Sequence, residues 1–387
     1  MWYFISPEIV YGEDALSRLD ELEGKRTFIV TDKQIVSIGF ADRVRERLSQ
    51  AGMECRVYDE VESEPSIETV KKGAESARIY GPDWIVGLGG GSVMDAAKSI
   101  WVLYERPDIE PAEINPFAPL GLRQKARLIT IPTTSGTGSD CNWGLVLTDT
   151  SEQRKLGLGS HEAHADIAIV DPVFVIGMSP QLTADTGMDA LTHAIEGYTS
   201  NWKNDFCDGL CLKAVQLVFQ YLPRSYHNGQ DEEAREKMHN AASIAGLGFG
   251  NSMAGLAHST GHSLGPVFHI PHGRTVGLFL PYTIEFTATV AADYYAEIAH
   301  LLKLEYTEIE KAAFSLAQAV RQLAQNINQP LTIKDLGISN SSFENSLPKL
   351  VSNADMDTQT VTSARIPTTD EFEKLFRYAY DGKTVDF

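Results

Sequence analysis

The sequence predicts two domains: an α/β domain with a mainly parallel, Rossmann-like sheet, and an all-helical domain after it. Three observations predict this class. Short strand-like runs alternate with helix-like patterns in the first half, which is typical of βαβ units. Strand-like runs almost disappear beyond Pro180. A length of 387 residues is also enough for two hydrophobic cores. We therefore expect domains at 1–178 and 179–387.

The elements follow from short aliphatic runs and from the helical spacing of apolar residues. Predicted strands cover 27–31, 54–58, 84–88, 127–131 and 167–170. Predicted helices of the first domain cover 36–51, 66–80 and 92–105. Predicted helices of the second domain cover 181–200, 206–222, 231–250, 289–303, 307–326 and 368–381.

Charge and composition exclude several classes of protein. The formal net charge of −19 argues against nucleic acid, whose phosphates need a basic surface, and against anionic membranes. No apolar run reaches the roughly 18 residues of a membrane span, and residues 1–4 do not resemble a secretory signal. The four cysteines lack the spacing of a metal knuckle. We expect a cytoplasmic protein without nucleic-acid or membrane partners.

A glycine run follows the predicted strand at 84–88. Gly89, Gly90, Gly91 and Ser92 lie between that strand and a predicted helix. Glycines there allow backbone N–H groups to approach an anion, and the positive end of the helix adds to the attraction. The pattern favours a phosphate cradle over a plain tight turn. It is not the Rossmann fingerprint, which would follow the first strand.

Two further strand ends carry polar groups. Asp32 follows the strand at 27–31, where a carboxylate either accepts hydrogen bonds from a ribose or caps the next helix. In the first case it repels a 2′-phosphate, so NAD is favoured, with NADP possible. After the strand at 127–131 comes a loop rich in small hydroxyl side chains, including Thr133, Thr134 and Thr137, which suits phosphate and nicotinamide contacts.

Histidines and one carboxylate form a candidate metal site. Asp189 and His193 are four residues apart in a predicted helix, so both side chains project from one helix face. His258, His262 and His272, with a fourth histidine between the last two, fall within fifteen residues of each other. Such clustering favours a divalent metal site over scattered structural histidines.

Together these segments resemble the iron-containing alcohol dehydrogenase family, also called group III. The resemblance covers nearly the whole chain, from Tyr11-Gly12 to the final predicted helix. The matching segments are Gly89–Ser92 with Asp95 and Lys98, Pro132–Thr137, Gly187–Gly197, His258, Gly261-His262 and Pro271-His272-Gly273. The resemblance implies a dinucleotide-binding domain, an all-helical metal-binding domain, and an active site in the cleft between them.

The resemblance also implies roles for individual residues. The metal ligands would be Asp189, His193, His258 and His272. The cofactor contacts would be Asp32, Gly89, Gly90, Gly91, Ser92, Asp95, Thr133, Thr134, Thr137 and Lys155. Phe249 would line the substrate pocket, and His262 would lie beside the nicotinamide. We expect His262 to relay a proton, although a packing role is the alternative. Glu196, three residues after His193, either supports a ligand or is simply a helix charge.

The implied reaction moves a hydride between a nicotinamide cofactor and a small alcohol or aldehyde, with a divalent metal acting as a Lewis acid. Three imidazoles and a carboxylate suit several metals, and the resemblance favours Fe(II), with Zn(II) second. The family commonly forms homodimers or larger homo-oligomers. The chain departs from the family at Asn142 and Trp143, where we expect a reshaped substrate pocket.

Other functions remain as alternatives. A polyol oxidoreductase like glycerol dehydrogenase is the nearest. A metal- and NAD-dependent lyase of the dehydroquinate synthase type needs more basic residues than the region 225–302 offers. Gly261-His262-Ser263-Leu264-Gly265 matches the nucleophile elbow of serine hydrolases, but no strand-like run precedes it. The non-enzymatic alternative is a sensor that binds a metal or a nucleotide without catalysing a reaction.

Overall fold

The computed structural model describes residues 3–151 and 154–387, with the side chain of Arg154 excepted. The chain forms two compact units, Met1–Gly177 and Met178–Phe387. The first is an α/β unit built on a parallel sheet, and the second is helical. The predicted fold class is thereby confirmed.

The first unit contains a six-stranded sheet in which every neighbouring pair of strands is parallel. The strand order is β1-β8-β5-β4-β2-β3. The strands are β1 (Glu8–Tyr11), β2 (Arg26–Val30), β3 (Glu54–Tyr58), β4 (Trp84–Gly89), β5 (Arg127–Pro132) and β8 (Ile167–Val170).

Side chains alternate between two cores on the opposite faces of this sheet. Phe28 and Val30 of β2 belong to one core, whereas Ile29 belongs to the other. Both faces are therefore covered, as is usual for parallel sheets. The covering helices are α1 (Lys33–Ser37), α2 (Phe40–Gln50), α3 (Ile67–Tyr80) and α4 (Gly91–Glu105).

Three strands of this unit were not predicted. The four-residue β1 has a half-exposed pattern rather than a buried run, so its sequence gives little strand signal. Strands β6 (Gly144–Asp149) and β7 (Arg154–Gly159) form a separate antiparallel hairpin. Their glycines and charged residues obscure the alternation of apolar side chains on which the prediction depends.

The second unit packs its helices around one large apolar core. Six helices match the predicted ones in position, whereas α8, α9 and α12 were not predicted. The helices are α5 (Pro180–Thr199), α6 (Asp205–His227), α7 (Glu232–Gly250), α8 (Leu256–Phe268), α9 (His272–Thr287), α10 (Ala292–Leu301), α11 (Ile309–Asn326), α12 (Asn340–Asp355) and α13 (Thr369–Asp381).

Low intrinsic propensity explains the three missed helices. Each contains an internal proline, namely Pro266, Pro281 and Pro348, and α8 and α9 also contain glycines. Burial of most of their side chains stabilises α8 and α9 in spite of this. In the part of the chain that the structure describes, no helix combines the length and hydropathy that crossing a membrane would require.

Candidate functional site

Four side chains of the second unit converge on one point. Asp189 and His193 come from α5, His258 from α8, and His272 from the first turn of α9. Their potential ligand atoms all lie within 4.8 Å of one another. From Asp189 Oδ1, the distance is 3.8 Å to His193 Nδ1, 3.9 Å to His258 Nε2 and 3.3 Å to His272 Nε2. Ligand atoms on a tetrahedral ion at about 2.1 Å lie about 3.4 Å apart, so the set fits one divalent cation.

Without an ion, the burial of these polar atoms would cost free energy. Asp189 and His258 are 2% and 3% exposed. Among the residues that the structure describes, none forms a hydrogen bond of acceptable geometry with Asp189 Oδ1 or His258 Nε2. Buried polar atoms without partners are rare because each costs about 1–3 kcal/mol. A bound cation would satisfy both atoms.

The charge state of Asp189 is suited to binding a cation. Burial raises the pKa of this carboxyl, but the imidazoles of His193 and His272 outweigh it, and the net pKa is well below the usual range. The side chain is therefore a carboxylate at neutral pH. When a cation displaces the protons of the imidazoles, the three rings and the carboxylate form a donor set that Fe(II) and Zn(II) both accept.

Neighbouring side chains hold the rings of the candidate ligands. Phe249 stacks on His193 with ring centroids 4.0 Å apart and planes 12° from parallel. Glu196 accepts a hydrogen bond from His258 Nδ1 at 2.5 Å, so it contacts one of the candidate ligands. Phe249 therefore lies against the ligand set, where the resemblance had suggested a pocket wall.

His262 lies beside the four side chains without belonging to their set. Its ring centroid is 5.1 Å from that of His272 and 5.7 Å from that of His258. His262 Nδ1 is 2.9 Å from Asp357 Oδ2, and its side chain is 32% exposed. Asp357 was not predicted, because it follows α12 and is 95 residues from its partner in sequence.

A glycine allows α9 to approach α5. A Cβ on Gly273 would lie 2.2 Å from the backbone oxygen of Asp185 and 3.1 Å from the Cβ of Asp189. The close approach places His272, at the start of α9, beside Asp189. Arg274 and Asp185 strengthen the same contact through a two-pronged ion pair, with distances of 3.0 and 2.9 Å.

The predicted phosphate cradle lies in the first unit, at the carboxyl edge of the sheet. Gly89 ends β4, and Gly90 is the N-cap of α4, so no N-cap side chain accepts the first N–H groups of α4. Gly89 pairs with Pro132 at the end of the neighbouring β5. The hydroxyl-rich loop after β5 therefore begins next to the cradle.

Two threonines of that loop lie over the glycines. A Cβ on Gly90 would be 3.4 Å from Thr134 Cγ2, and one on Gly91 would be 2.8 Å from Thr137 Cγ2. Thr133 donates its backbone N–H to Gly89 at 3.0 Å. The structure thus brings together the glycines and threonines that the sequence singled out.

A buried lysine, whose role the sequence did not reveal, connects α4 to the segment that follows the threonine loop. Lys98 of α4 is fully buried and donates hydrogen bonds to Ser139 Oγ, Asn142 Oδ1 and the Gly144 oxygen at 2.8, 3.2 and 2.8 Å. Burial lowers the pKa of Lys98 to about 8, although the nearby Asp95 carboxylate opposes the shift. Both carboxylate oxygens of Asp95 also accept hydrogen bonds, from Ser139 Oγ and Val146 N.

Several predicted contacts lie apart from the glycines or are engaged elsewhere. Asn142, expected to shape the substrate pocket, directs its side-chain oxygen to Lys98. Trp143 packs its ring edge-on against His161 at 4.7 Å. Lys155, on the hairpin strand β7, pairs with Glu64 at 2.8 Å. Ser92 Oγ donates to the Ser63 oxygen at 2.5 Å.

Asp32 performs the capping role that was one of its two predicted roles. Its Oδ1 accepts the backbone N–H of Ile35 at 2.9 Å, at the N-terminus of α1. Asp32 follows the end of β2, which pairs with β4, so it lies at the same edge of the sheet as the glycine turn. The capping bond occupies one carboxylate oxygen, and a carboxylate can accept at the other.

The hydrolase alternative is incompatible with the position of Ser263. This serine is inside α8, is 1% exposed, and donates its hydroxyl to the Leu350 oxygen at 2.7 Å. A nucleophile elbow requires an exposed serine between a strand and a helix.

Two family models match the chain across most of its length. The model described as iron-containing alcohol dehydrogenase matches residues 6–172, and its C-terminal counterpart matches 183–380. The chain belongs to the iron-containing alcohol dehydrogenase family. A curated relative within the family is the NADPH-dependent butanol dehydrogenase of Clostridium saccharobutylicum, which is 39% identical over 100% of both chains.

Solved structures of the iron-containing alcohol dehydrogenase family have the same fold. The structure of a 1,3-propanediol oxidoreductase is 30% identical, with a TM-score of 0.92 over 98% of this chain and 100% of that one. The iron-containing alcohol dehydrogenase of Thermococcus thioreducens is 31% identical, with a TM-score of 0.90 over 99% and 100% of the two chains. Membership makes the protein an oxidoreductase of alcohols linked to NAD(P), as the resemblance implied.

Proposed function

We propose that the protein interconverts small alcohols and aldehydes, using a nicotinamide cofactor and a divalent metal held by Asp189, His193, His258 and His272. The proposal rests on one observation: three imidazole nitrogens lie 3.3–3.9 Å from one buried carboxylate oxygen. The donor set suits Fe(II), with Zn(II) or another divalent ion as the alternative.

The metal, when bound, supplies Lewis acidity that lowers the pKa of an alcohol or polarises a carbonyl. The protein supplies a fixed site: Asp189 contributes the negative charge, and the packed rings of His193 and Phe249 hold one ligand rigid. Such rigidity matters because a misplacement of about 1 Å can cost on the order of a hundredfold in rate.

We propose that His262 relays the proton of the reaction. Its Nδ1 is engaged by Asp357, so its Nε2 is the atom that can exchange a proton with a substrate or with water. The partial exposure of the ring gives it access to solvent. Asp357 holds the ring orientation, as a carboxylate does beside an imidazole.

The cofactor is proposed to bind at the glycine turn. Gly89, Gly90, Gly91 and the first turn of α4 offer backbone N–H groups to its diphosphate. Thr134 and Thr137 border the same turn. A carboxylate at Asp32 favours NAD by repelling a 2′-phosphate, whereas the relative from Clostridium saccharobutylicum is NADPH-dependent by name. We keep NAD as the first proposal and NADP as the alternative.

The proposed substrates are short primary alcohols, diols and their aldehydes. Butanol and 1,3-propanediol are in the printed names of two similar proteins. The test is a screen at 340 nm with NAD(H) and NADP(H), after reconstitution with Fe(II) or Zn(II). Turnover that depends on both metal and cofactor is expected. Turnover that persists after complete removal of the metal would contradict the proposal.

We also propose a homodimer or larger homo-oligomer, in the cytoplasm. The support for self-association is β1, which pairs with β8 alone within the described sheet and has exposed Tyr3 and Tyr11 at and near it. Open strand edges are natural places for pairing between chains. Light scattering after size exclusion would test the mass, and cell fractionation would test the location.

A further inference from the structure

We infer that Glu196 is a positioning residue of the metal centre, which fixes the proton on His258 and anchors the first turn of α8. The inference rests on the ligand set proposed above, because Glu196 contacts a ligand rather than the ion. It follows from contacts that join the two helices α5 and α8.

The Glu196 carboxylate accepts three N–H groups. Oε2 accepts the backbone N–H of Gly255 at 2.9 Å and contacts His258 Nδ1 at 2.5 Å. Oε1 accepts the backbone N–H of Ala257 at 2.5 Å. The residue is 6% exposed. Among the described residues, no Lys or Arg side chain contacts this buried carboxylate, so its burial costs free energy that a metal ion nearby would offset.

Glu196 also provides the cap that α8 lacks. The N-cap of α8 is Gly255, which has no side chain to accept the helix's free N–H groups. A Cβ at Gly255 would lie 3.1 Å from Glu196 Oε1, so glycine allows the carboxylate to approach. Asp189, His193 and Glu196 follow the i, i+4, i+7 spacing and therefore share one stripe of α5. The same stripe thus carries two ligands and the support for a third.

The acceptor chemistry of a carboxylate determines which ring nitrogen carries the proton. A carboxylate can only accept, so the proton of neutral His258 must be on Nδ1. Nε2, which is 3.9 Å from Asp189 Oδ1, then presents its lone pair to the proposed ion site. Contacts of this kind are typically worth 10–100-fold in metal affinity.

The test variant is Glu196→Gln, which keeps size and shape but leaves one acceptor oxygen. In either orientation, its NH₂ group meets the N–H of Gly255 or of Ala257, and the negative charge is lost. We expect the affinity for Zn²⁺, measured by competition with a chelator, to fall about 10–100-fold.

The matched control is Glu285→Gln. Glu285 is 5% exposed and accepts hydrogen bonds from Arg321 and from the backbone of Val385, without contacting a ligand. This variant should lose stability while its Zn²⁺ affinity stays within about twofold of the parent. A ligand that binds only the folded state raises Tm by an amount set by its affinity. The rise in Tm on adding Zn²⁺ should therefore shrink in Glu196→Gln and persist in Glu285→Gln.

Unchanged Zn²⁺ affinity in Glu196→Gln would overturn the inference while leaving the ligand set intact. Retention of the affinity in His258→Ala would instead show that the ligand set of the proposed function is wrong, and the role of Glu196 would fall with it. If Glu196→Gln does not fold, nitrogen-15 NMR of the Zn²⁺-loaded parent decides: a protonated, slowly exchanging Nδ1 on His258 is expected, and a bare Nδ1 would refute the inference.

Discussion

His262 and Asp357 are both partly buried, and Nδ1 of the imidazole is 2.9 Å from the carboxylate, beside the proposed metal ligands but outside their set. Burial raises the pKa of Asp357, but the hydrogen bond and charge of His262, the backbone N–H of Gln359 and the nearby His258 together lower it by more, so the carboxylate is ionised. The pair has the arrangement of an imidazole base with an orienting acid, which motivates the first prediction.

Removing either member should slow turnover without releasing the metal. General acid–base groups contribute on the order of 10²–10⁴-fold, so we expect His262→Ala to lower kcat by at least about a hundredfold. Asp357→Asn preserves an acceptor for Nδ1 but loses the charge, so a smaller fall, on the order of tenfold, is expected. Metal content by mass spectrometry is the control. Loss of metal in His262→Ala would make this residue a ligand instead.

The ligand set makes its own prediction. Asp189→Ala and His258→Ala should each lower bound metal and activity together, because a buried set of four donors cannot replace a missing one. Metal stoichiometry and kcat, measured on the same preparations after reconstitution, check this. Full stoichiometry in either variant would exclude that residue from the set.

Asp32 offers a test of cofactor choice with the helix cap held constant. Asp32→Asn retains an oxygen that can cap α1 but removes the negative charge. We expect the ratio of kcat/KM for NADP to that for NAD to rise on the order of tenfold, with Tm nearly unchanged. Asp32→Gly should raise the same ratio while losing the cap. A ratio that stays constant in both variants would show that Asp32 does not contact the ribose.

Lys98 predicts a specific dependence of stability on pH. Its pKa falls from 10.5 to about 8 on folding, so between these values the unfolded chain binds more protons than the native state. The free energy of unfolding should therefore rise with pH across this window, by at most about 3 kcal/mol. Urea titrations of the parent and of Lys98→Met at pH 7.5, 9 and 10 isolate the effect. A difference between the two that falls with pH would contradict it.

Gly273 predicts a steric effect on the metal site. In Gly273→Ala the new Cβ would meet the Asp185 backbone oxygen at 2.2 Å, so the start of α9 must move and His272 with it. We expect lower stability and weaker metal binding. Gly209→Ala is the matched control, because nothing lies within 4 Å of its Cβ and alanine favours the helix by about 1 kcal/mol. Equal metal affinities in the two variants would contradict the prediction.

The sequence predicted those strands and helices that have a clear local pattern of apolar residues. Buried strands such as β4 and β8 have continuous apolar runs, and the helix spacing of Asp189 and His193 places both on one face. The carboxyl edge of the sheet, with Gly89–Gly91 at its centre, follows from strand patterns and the rules of parallel sheets.

What the sequence could not predict depends on tertiary contacts. Helices α8 and α9 are poor helix formers that are stabilised by packing, and both carry proposed metal ligands. Asp357 and Lys98 act on partners 95 and 41–46 residues away, and such pairings leave no periodic trace in the sequence. Asn142, which was expected in the pocket, accepts a hydrogen bond from Lys98 that the sequence did not predict.

The nearly complete burial of α5 determines how an ion would leave. Buried helices such as α5 open only when a large part of the surrounding unit unfolds. Local motion of α5 should therefore not release an ion from Asp189 and His193. His272 is different, because its side chain is 37% exposed and it is the first residue of α9. Chelators should therefore extract the ion by way of that histidine, at a rate governed by the opening of one helix end rather than by global unfolding.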